Sequence, residues 1–292
     1  METAFLSASA LGRASHAVRP AALGNHCRAA RTGLSVVLAV MVALIGAVAP
    51  LAAQAPAVER VTSIETDRPD FIESSVVVPR GFWQLENGLL YARDAGVGSL
   101  RGTETLLRVS IADRWEWRLG LPSLFVEHGT GASAAGHSDA YFGIKYQLGP
   151  IRDWDIALIP GTSVPLGDPS RTSGAWDPEF KFTWSGDVGA GVNFSGMLDA
   201  SWPTDAGAHG TAFLPALSLA REVAPRLRLF VEWVGGYARG EASSHLAHAG
   251  LAWRVTDHLQ LDTHVGRRIA GDLPAGFIAF GASFRRGPRV AR

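Results

Sequence analysis

A two-residue alternation of apolar and charged side chains, sustained through residues 103–125 (TETLLRVSIADRWEWRLGLPSLF), restricts this chain to a sheet with two very different faces. Before a polar break at Asp113-Arg114, Leu107, Val109 and Ile111 share one side of the pleat and Arg108, Ser110 and Ala112 the other. After it, Trp115, Trp117, Leu119 and Leu121 alternate with Glu116, Arg118, Gly120 and Pro122. A helix would mix these residues around its circumference; a hairpin separates them. Two architectures use such a hairpin. A soluble sandwich buries the apolar face and wets the charged one, whereas a membrane barrel turns the apolar face to lipid and the charged one to a lumen.

The rest of the chain repeats the unit. Strands are expected at 81–92, 103–112, 115–126, 139–148, 154–166, 175–185, 188–199, 211–221, 227–238, 245–254, 258–267 and 276–284, about twelve in all. Most are near the length a tilted strand needs to cross a bilayer. Connections after the even strands are short, such as Asp113-Arg114, Gly186-Asp187 and Val255 to Asp257. Those after the odd strands, 93–102, 127–138, 167–174, 200–210, 239–244 and 268–275, are mostly longer and rich in Gly, Ser, Ala or His. Alternating short and long connections is the layout of an outer-membrane barrel, and a Greek-key sandwich has no reason to keep it. The expected fold is therefore all-β, a transmembrane antiparallel up-and-down β-barrel. Pro122, Pro160, Pro165 and Pro215 fall inside these segments and imply bulges or earlier strand ends.

On this register Glu86, Arg108, Glu116, Arg118, Lys145, Glu179, Lys181, Arg228, Glu232, Arg254 and Asp262 point inward. Charges of both signs at mid-strand are costly in a dry core but pair across a wet lumen, where they would tune selectivity or simply fill the interior. Trp115, Trp184 and Trp253 fall at strand ends on the outward face, at headgroup level.

The flanks carry other signals. Arg28 and Arg31, the apolar run 33–49 and the small residues Ala52, Ala53 and Ala55 form a secretory signal, with residues 1–53 removed. Residues 54–80 form a polar lead-in, 81–284 the barrel and 285–292 a basic tail. Removal of the leader takes Cys27 with it, so thiol chemistry is not expected. It also takes four arginines and Glu2, leaving 23 basic and 26 acidic residues from the 27 of each in the full chain. Nothing in that balance suits nucleic acid. No phosphate-cradling motif is present, so no cofactor is expected, and the histidines lack the spacing of a zinc site.

Three stretches resemble one family. They are Glu65-Thr66-Asp67-Arg68-Pro69-Asp70-Phe71, the strand Gly81-Phe82-Trp83-Gln84-Leu85-Glu86, and Asp113 to Pro122, with the Gly-rich run 186–189 beside them. Together they resemble the bacterial outer-membrane barrels of the MetA pathway of phenol degradation family, over about 65–284. The resemblance implies a barrel with a channel role, set in outer-membrane lipid and inserted by the barrel assembly machinery. The basic residues after Phe284 depart from the usual aromatic end of such barrels.

Thr66, Asp67, Arg68, Pro69, Asp70 and Phe71 read either as a lumen plug or as a periplasmic strap on the rim, with the strap or a structural lumen contact preferred. The functional expectation is passive passage of small solutes, aromatic or hydrophobic ones among them. The alternatives are a non-conducting structural or adhesive barrel and a phospholipase using His264, although no serine signature accompanies that histidine.

Overall fold

A computed structural model describes residues 63–94, 96–129, 133–205 and 207–287. The signal-peptide reading of residues 1–53 and most of the basic tail lie outside them. The strands are β1 (Trp83–Asp94), β2 (Val97–Gly102), β3 (Leu106–Ala112), β4 (Trp115–Gly120), β5 (Leu124–His128), β6 (Ser133–His137), β7 (Ala140–Ile151), β8 (Trp154–Val164) and β9 (Pro178–Asp187). They continue as β10 (Val192–Ser201), β11 (Thr204–Asp205), β12 (Ala208–His209), β13 (Ala212–Ala224), β14 (Leu227–Ala238), β15 (Ser244–Thr256), β16 (Leu259–Ala270) and β17 (Gly276–Arg286).

All pairings are antiparallel, and β17 pairs β1 from Trp83↔Arg286 to Arg93↔Gly276, which closes the sheet. The wall is a twelve-stranded barrel, because β2 with β3, β4 with β5 and β6 with β7 each form one broken strand. Closure leaves no edge in the spanning part of the wall, since β6, which pairs only with β5, lies above it at the loop end, so the backbone groups of the wall can be satisfied within lipid. Outside, Trp117, Val231, Val265 and Phe280 remain about half exposed, in a belt that only lipid can cover. At the end where β1 begins and β17 finishes, Trp115 and Tyr146 pack with ring centroids 4.4 Å apart, as an interfacial girdle would. This is an outer-membrane β-barrel.

Several boundaries differ from expectation. Residues 97–102 and 133–137 are strands rather than loops, and β2, β5 and β6 pair side by side to raise the wall at the loop end. Thr103, at φ 53°, breaks β2 from β3, and Pro122 falls in the gap between β4 and β5. Pro165 lies just beyond β8. Pro160 and Pro215 instead stay in register with Phe180 and Leu198, without a bulge at either site. Their missing N–H groups are accommodated on the other side. The β7–β8 ladder skips from Gly143↔Gly161 to Tyr146↔Leu158, and the β13–β14 ladder from Phe213↔Tyr237 to Ala216↔Val234. The last strand runs past Phe284 to Arg286. Arg285 faces inward and donates to the carbonyls of Ser63 at 2.9 Å and Asp257 at 3.1 Å.

Candidate functional site: the barrel interior

Residues 66–78, before β1, do not run across the periplasmic rim; they occupy the interior. Their contacts reach around the wall. Asp67 meets β3, β4 and β7; Glu73 meets β4 and β9; Phe71 meets β14 through its N–H; Arg68 meets β16. A strap confined to the rim could not touch all of these strands; residues 67–73 make their contacts inside the lumen. The cause is electrostatic. Adjacent residues Asp67 and Arg68 carry opposite charges, and each faces a wall of the complementary sign.

On the basic side, Asp67 sits 3.2 Å from Arg108, 2.6 Å from Arg118 and 3.1 Å from Lys145. Glu73 lies 2.8 Å from Arg118 and 2.7 Å from Lys181. The wall supplies its own acids here: Glu86 is 3.0 Å from Arg108, Glu116 is 2.8 Å from Arg108 and 3.0 Å from Arg118, and Glu179 is 2.6 Å from Lys181. Backbone groups of the segment join in. The N–H of Asp67 donates to Glu86 and that of Val78 to Glu116, while Arg108 and Lys145 donate to the carbonyls of Val76 and Ser74. Arg108, Arg118, Glu116 and Lys145 are fully buried. Such charges are tolerable only because nearly every one has several partners.

On the acidic side, Arg68 lies 3.5 Å from Glu104 and 3.4 Å from Asp262. Its guanidinium occupies a dent in the wall made by Gly88 and Gly281, which are register partners across β1 and β17. A Cβ on either glycine would overlap it, so glycine is required there for close approach. Phe71 stands edge-on to His248, with centroids 4.8 Å apart, and its N–H donates to Glu232 at 2.9 Å. His248 is 2.9 Å from Glu232 and 3.3 Å from His264. His264 therefore faces the interior, away from the lipid surface at which a phospholipase works.

Three of the carboxylates that precede the first spanning strand, Asp67, Asp70 and Glu73, differ in how readily they ionise. Burial pushes the Asp67 carboxyl up, but Arg108, Arg118 and Lys145 together outweigh it and hold the group well below the usual carboxylate range. Burial also opposes ionisation of Glu73, and Arg118 and Lys181 bring it down to about 2. Asp70 is raised to about 6 by burial, with Arg228 opposing and Glu232 reinforcing the shift.

Of the wall residues expected inside, Glu86, Arg108, Glu116, Arg118, Lys145, Lys181, Glu232 and Asp262 are buried, and Glu179 is nearly so. Arg228 and Arg254 are partly exposed near the turn end. Arg228 lies 3.8 Å from Asp70, and Arg254 pairs with Glu222. Sequence patterning gave no sign of Glu73 or Asp199 as interior groups, whereas Glu104 shares the parity of Arg108 and His248 that of Arg254 on the same expected strands. It also gave no sign of an apolar cluster inside the barrel, in which Leu90, Leu214, Val234, Leu246, Leu273 and Phe277 pack with Phe71 and Ile72. The only cue was parity: on their strands Leu90, Leu246 and Phe277 alternate with lipid-facing residues. Among the described residues no group of three His, Cys, Asp or Glu is placed to hold a metal.

Comparison with known proteins agrees with this architecture. An outer membrane channel from Pseudomonas putida F1 superposes with a TM-score of 0.54 at 14% identity, covering 72% of this chain and 97% of that one. The NanC porin gives 0.49 at 10% identity, covering 68% and 98%. No curated protein matches. A family profile described as "Putative MetA-pathway of phenol degradation" matches residues 66–285, from the interior segment to the end of the closing strand. The chain belongs to that family.

Proposed function

We propose that the protein is a passive channel for small solutes in which the segment from Thr66 to Glu73 is the gate. The observation that carries this reading is how the segment is held. Its main anchors are ion pairs and hydrogen bonds to groups on opposite walls, so it can exchange them for water and leave without unfolding a closed sheet. An apolar surface lies beside it, with Leu90, Val234, Leu246 and Phe277 packed against Phe71. A solute with an aromatic ring could replace the Phe71 side chain there, which fits the family's description. Lumen selectivity then rests on Glu86, Arg108, Glu116, Arg118, Lys145, Glu179, Lys181, Glu232 and Asp262, with Arg228 and Arg254 near the periplasmic entrance.

Planar-bilayer recording of the full protein and of a variant lacking residues 64–73 tests the proposal. The deletion is expected to convert brief openings into a sustained conductance that carries aromatic carboxylates such as benzoate. Closed traces from both proteins, at all voltages and with all such solutes, would leave the non-conducting structural barrel as the better reading. That alternative is favoured by the burial of the interior charges and the packed apolar cluster. We infer no hydrolytic activity; phospholipid turnover by the purified protein, with or without calcium, that is lost in His264→Ala would overturn this.

A further inference from the structure

The outer surface at the loop end carries a feature that solute passage does not use. β16, β17 and β1 are neighbours at the seam where the barrel closes. Across them Arg267, Gly276 and Arg93 are register partners in one row. Both arginines have the parity of the lipid-facing residues on their strands, Val265 on β16 and Tyr91 on β1, and both are exposed. Neither forms an ion pair among the described residues. The nearby Asp94 is engaged by a different arginine, Arg268, at 3.6 Å.

Gly276 between them has no side chain, and a surface recess of about 570 Å³ opens there, whose lining includes Arg93, Arg267, Gly276, Tyr91, Ile278 and the Arg268-paired Asp94. Two inter-strand spacings separate the arginine Cα atoms, about 10 Å, so their guanidinium groups can converge on one anionic group. The next row toward the membrane is apolar: Val265, Ile278 and Tyr91 are again register partners and all are exposed. Elsewhere near the loop ends of the strands, the outward residues include Phe213, Tyr237 and Phe142, with the single cation Arg239 beyond Tyr237.

We propose that this row is a binding site for a phosphorylated glycolipid of the outer leaflet. Arg93 and Arg267 bracket a headgroup phosphate, and Tyr91, Ile278 and Val265 receive the start of its acyl chains. Guanidinium groups suit phosphate, and their position directly over an apolar row matches an amphiphile rather than a free ion. The loop end is the one that faces the cell exterior in barrels of this layout, which is where such a lipid is found. Bound there, the lipid would span the strands on both sides of the closing seam.

Native mass spectrometry of the full protein, in zwitterionic detergent with purified lipopolysaccharide, tests the proposal. The same lipopolysaccharide stripped of phosphate and inorganic phosphate alone serve as further probes. The unaltered protein is expected to retain intact glycolipid about tenfold more tightly than Arg93→Gln/Arg267→Gln, and Arg93→Lys/Arg267→Lys to keep most of that affinity. Dephosphorylated glycolipid should bind the unaltered protein no better than intact glycolipid binds the double glutamine variant. Equal retention of the phosphorylated and dephosphorylated forms by the unaltered protein would refute the site, and that comparison needs no variant to fold. Displacement of the glycolipid by millimolar inorganic phosphate would refute the lipid as its ligand. Retention by a folded double glutamine variant equal to that of the unaltered protein would overturn the role of the arginines.

Discussion

Replacement of Asp67 by alanine tests the gate at its strongest point. The substitution removes one carboxylate from three buried cations, Arg108, Arg118 and Lys145, and leaves them unequally compensated. Arg108 keeps Glu86 and Glu116, and Arg118 keeps Glu73 and Glu116. Lys145 keeps the Ser74 carbonyl at 2.7 Å. The N–H of Ser74, which donates to Asp67 at 2.8 Å, also loses its acceptor. Removing one partner of a buried ion pair costs about 3–5 kcal/mol. With two of the three cations still paired, the lower end applies, about 3 kcal/mol. Because the wall is unaltered, that cost falls on the docked segment relative to the released one, a change of roughly 100-fold in their ratio.

Single-channel recording would register this as a rise of about that size in the ratio of open to closed time, for as long as the closed state dominates. Asp67→Asn keeps an oxygen for the Ser74 N–H but loses the charge, and should fall between the two. The barrel itself should be unaffected, with its heat-dependent shift in gel mobility unchanged, because closure depends on the β1–β17 ladder. An open-to-closed ratio within a factor of two of the unaltered protein, in a folded Asp67→Ala barrel, would refute the argument. The segment would then be held by the packing of Phe71 and Ile72 instead.

Three further outcomes follow from the same geometry. Gly281→Ala places a methyl group where the Arg68 guanidinium and its Asp262 partner sit, so it should loosen the segment by about 1–3 kcal/mol and raise open time with every charged residue kept. The docked segment should also respond to pH. Asp70 goes from an ordinary 3.8 to about 6 when docked, so its contribution is complete below about 4 and lost as pH rises through 6. Glu73 goes from 4.5 to about 2, so its contribution is present above 4.5 and lost as pH falls toward 2. Open time measured from pH 3 to 8 should therefore pass through a minimum near pH 4–5, and Asp70→Asn should flatten the rise above it. On the lipid face, Val231→Arg should destabilise the barrel in urea titrations from vesicles by about 2–4 kcal/mol.

The wall was legible in the sequence because a period of two records which side each residue faces. Glu116 and Arg118 were placed inside by parity alone, and both are buried there. Parity fails in two ways. It cannot distinguish an inward apolar residue from an outward one unless charged neighbours fix the phase. Leu90 stands between Leu89 and Tyr91, and Leu246 between His245 and Ala247, so neither has an acid or a strong base beside it and an interior that is apolar toward the loop end was not visible. It also says nothing about a segment with no period. Asp67, Arg68 and Glu73 acquire their roles from charged residues 36 to 194 positions away, and the dent that receives Arg68 exists only once Gly88 meets Gly281 across the closing seam. What looked like ordinary loop chemistry, acids and a base around a proline, is complementary to a wall that forms only when the chain's two ends meet. The interior segment and the barrel are thus specified together: the ladder that closes the sheet also builds the pocket that holds the segment within it.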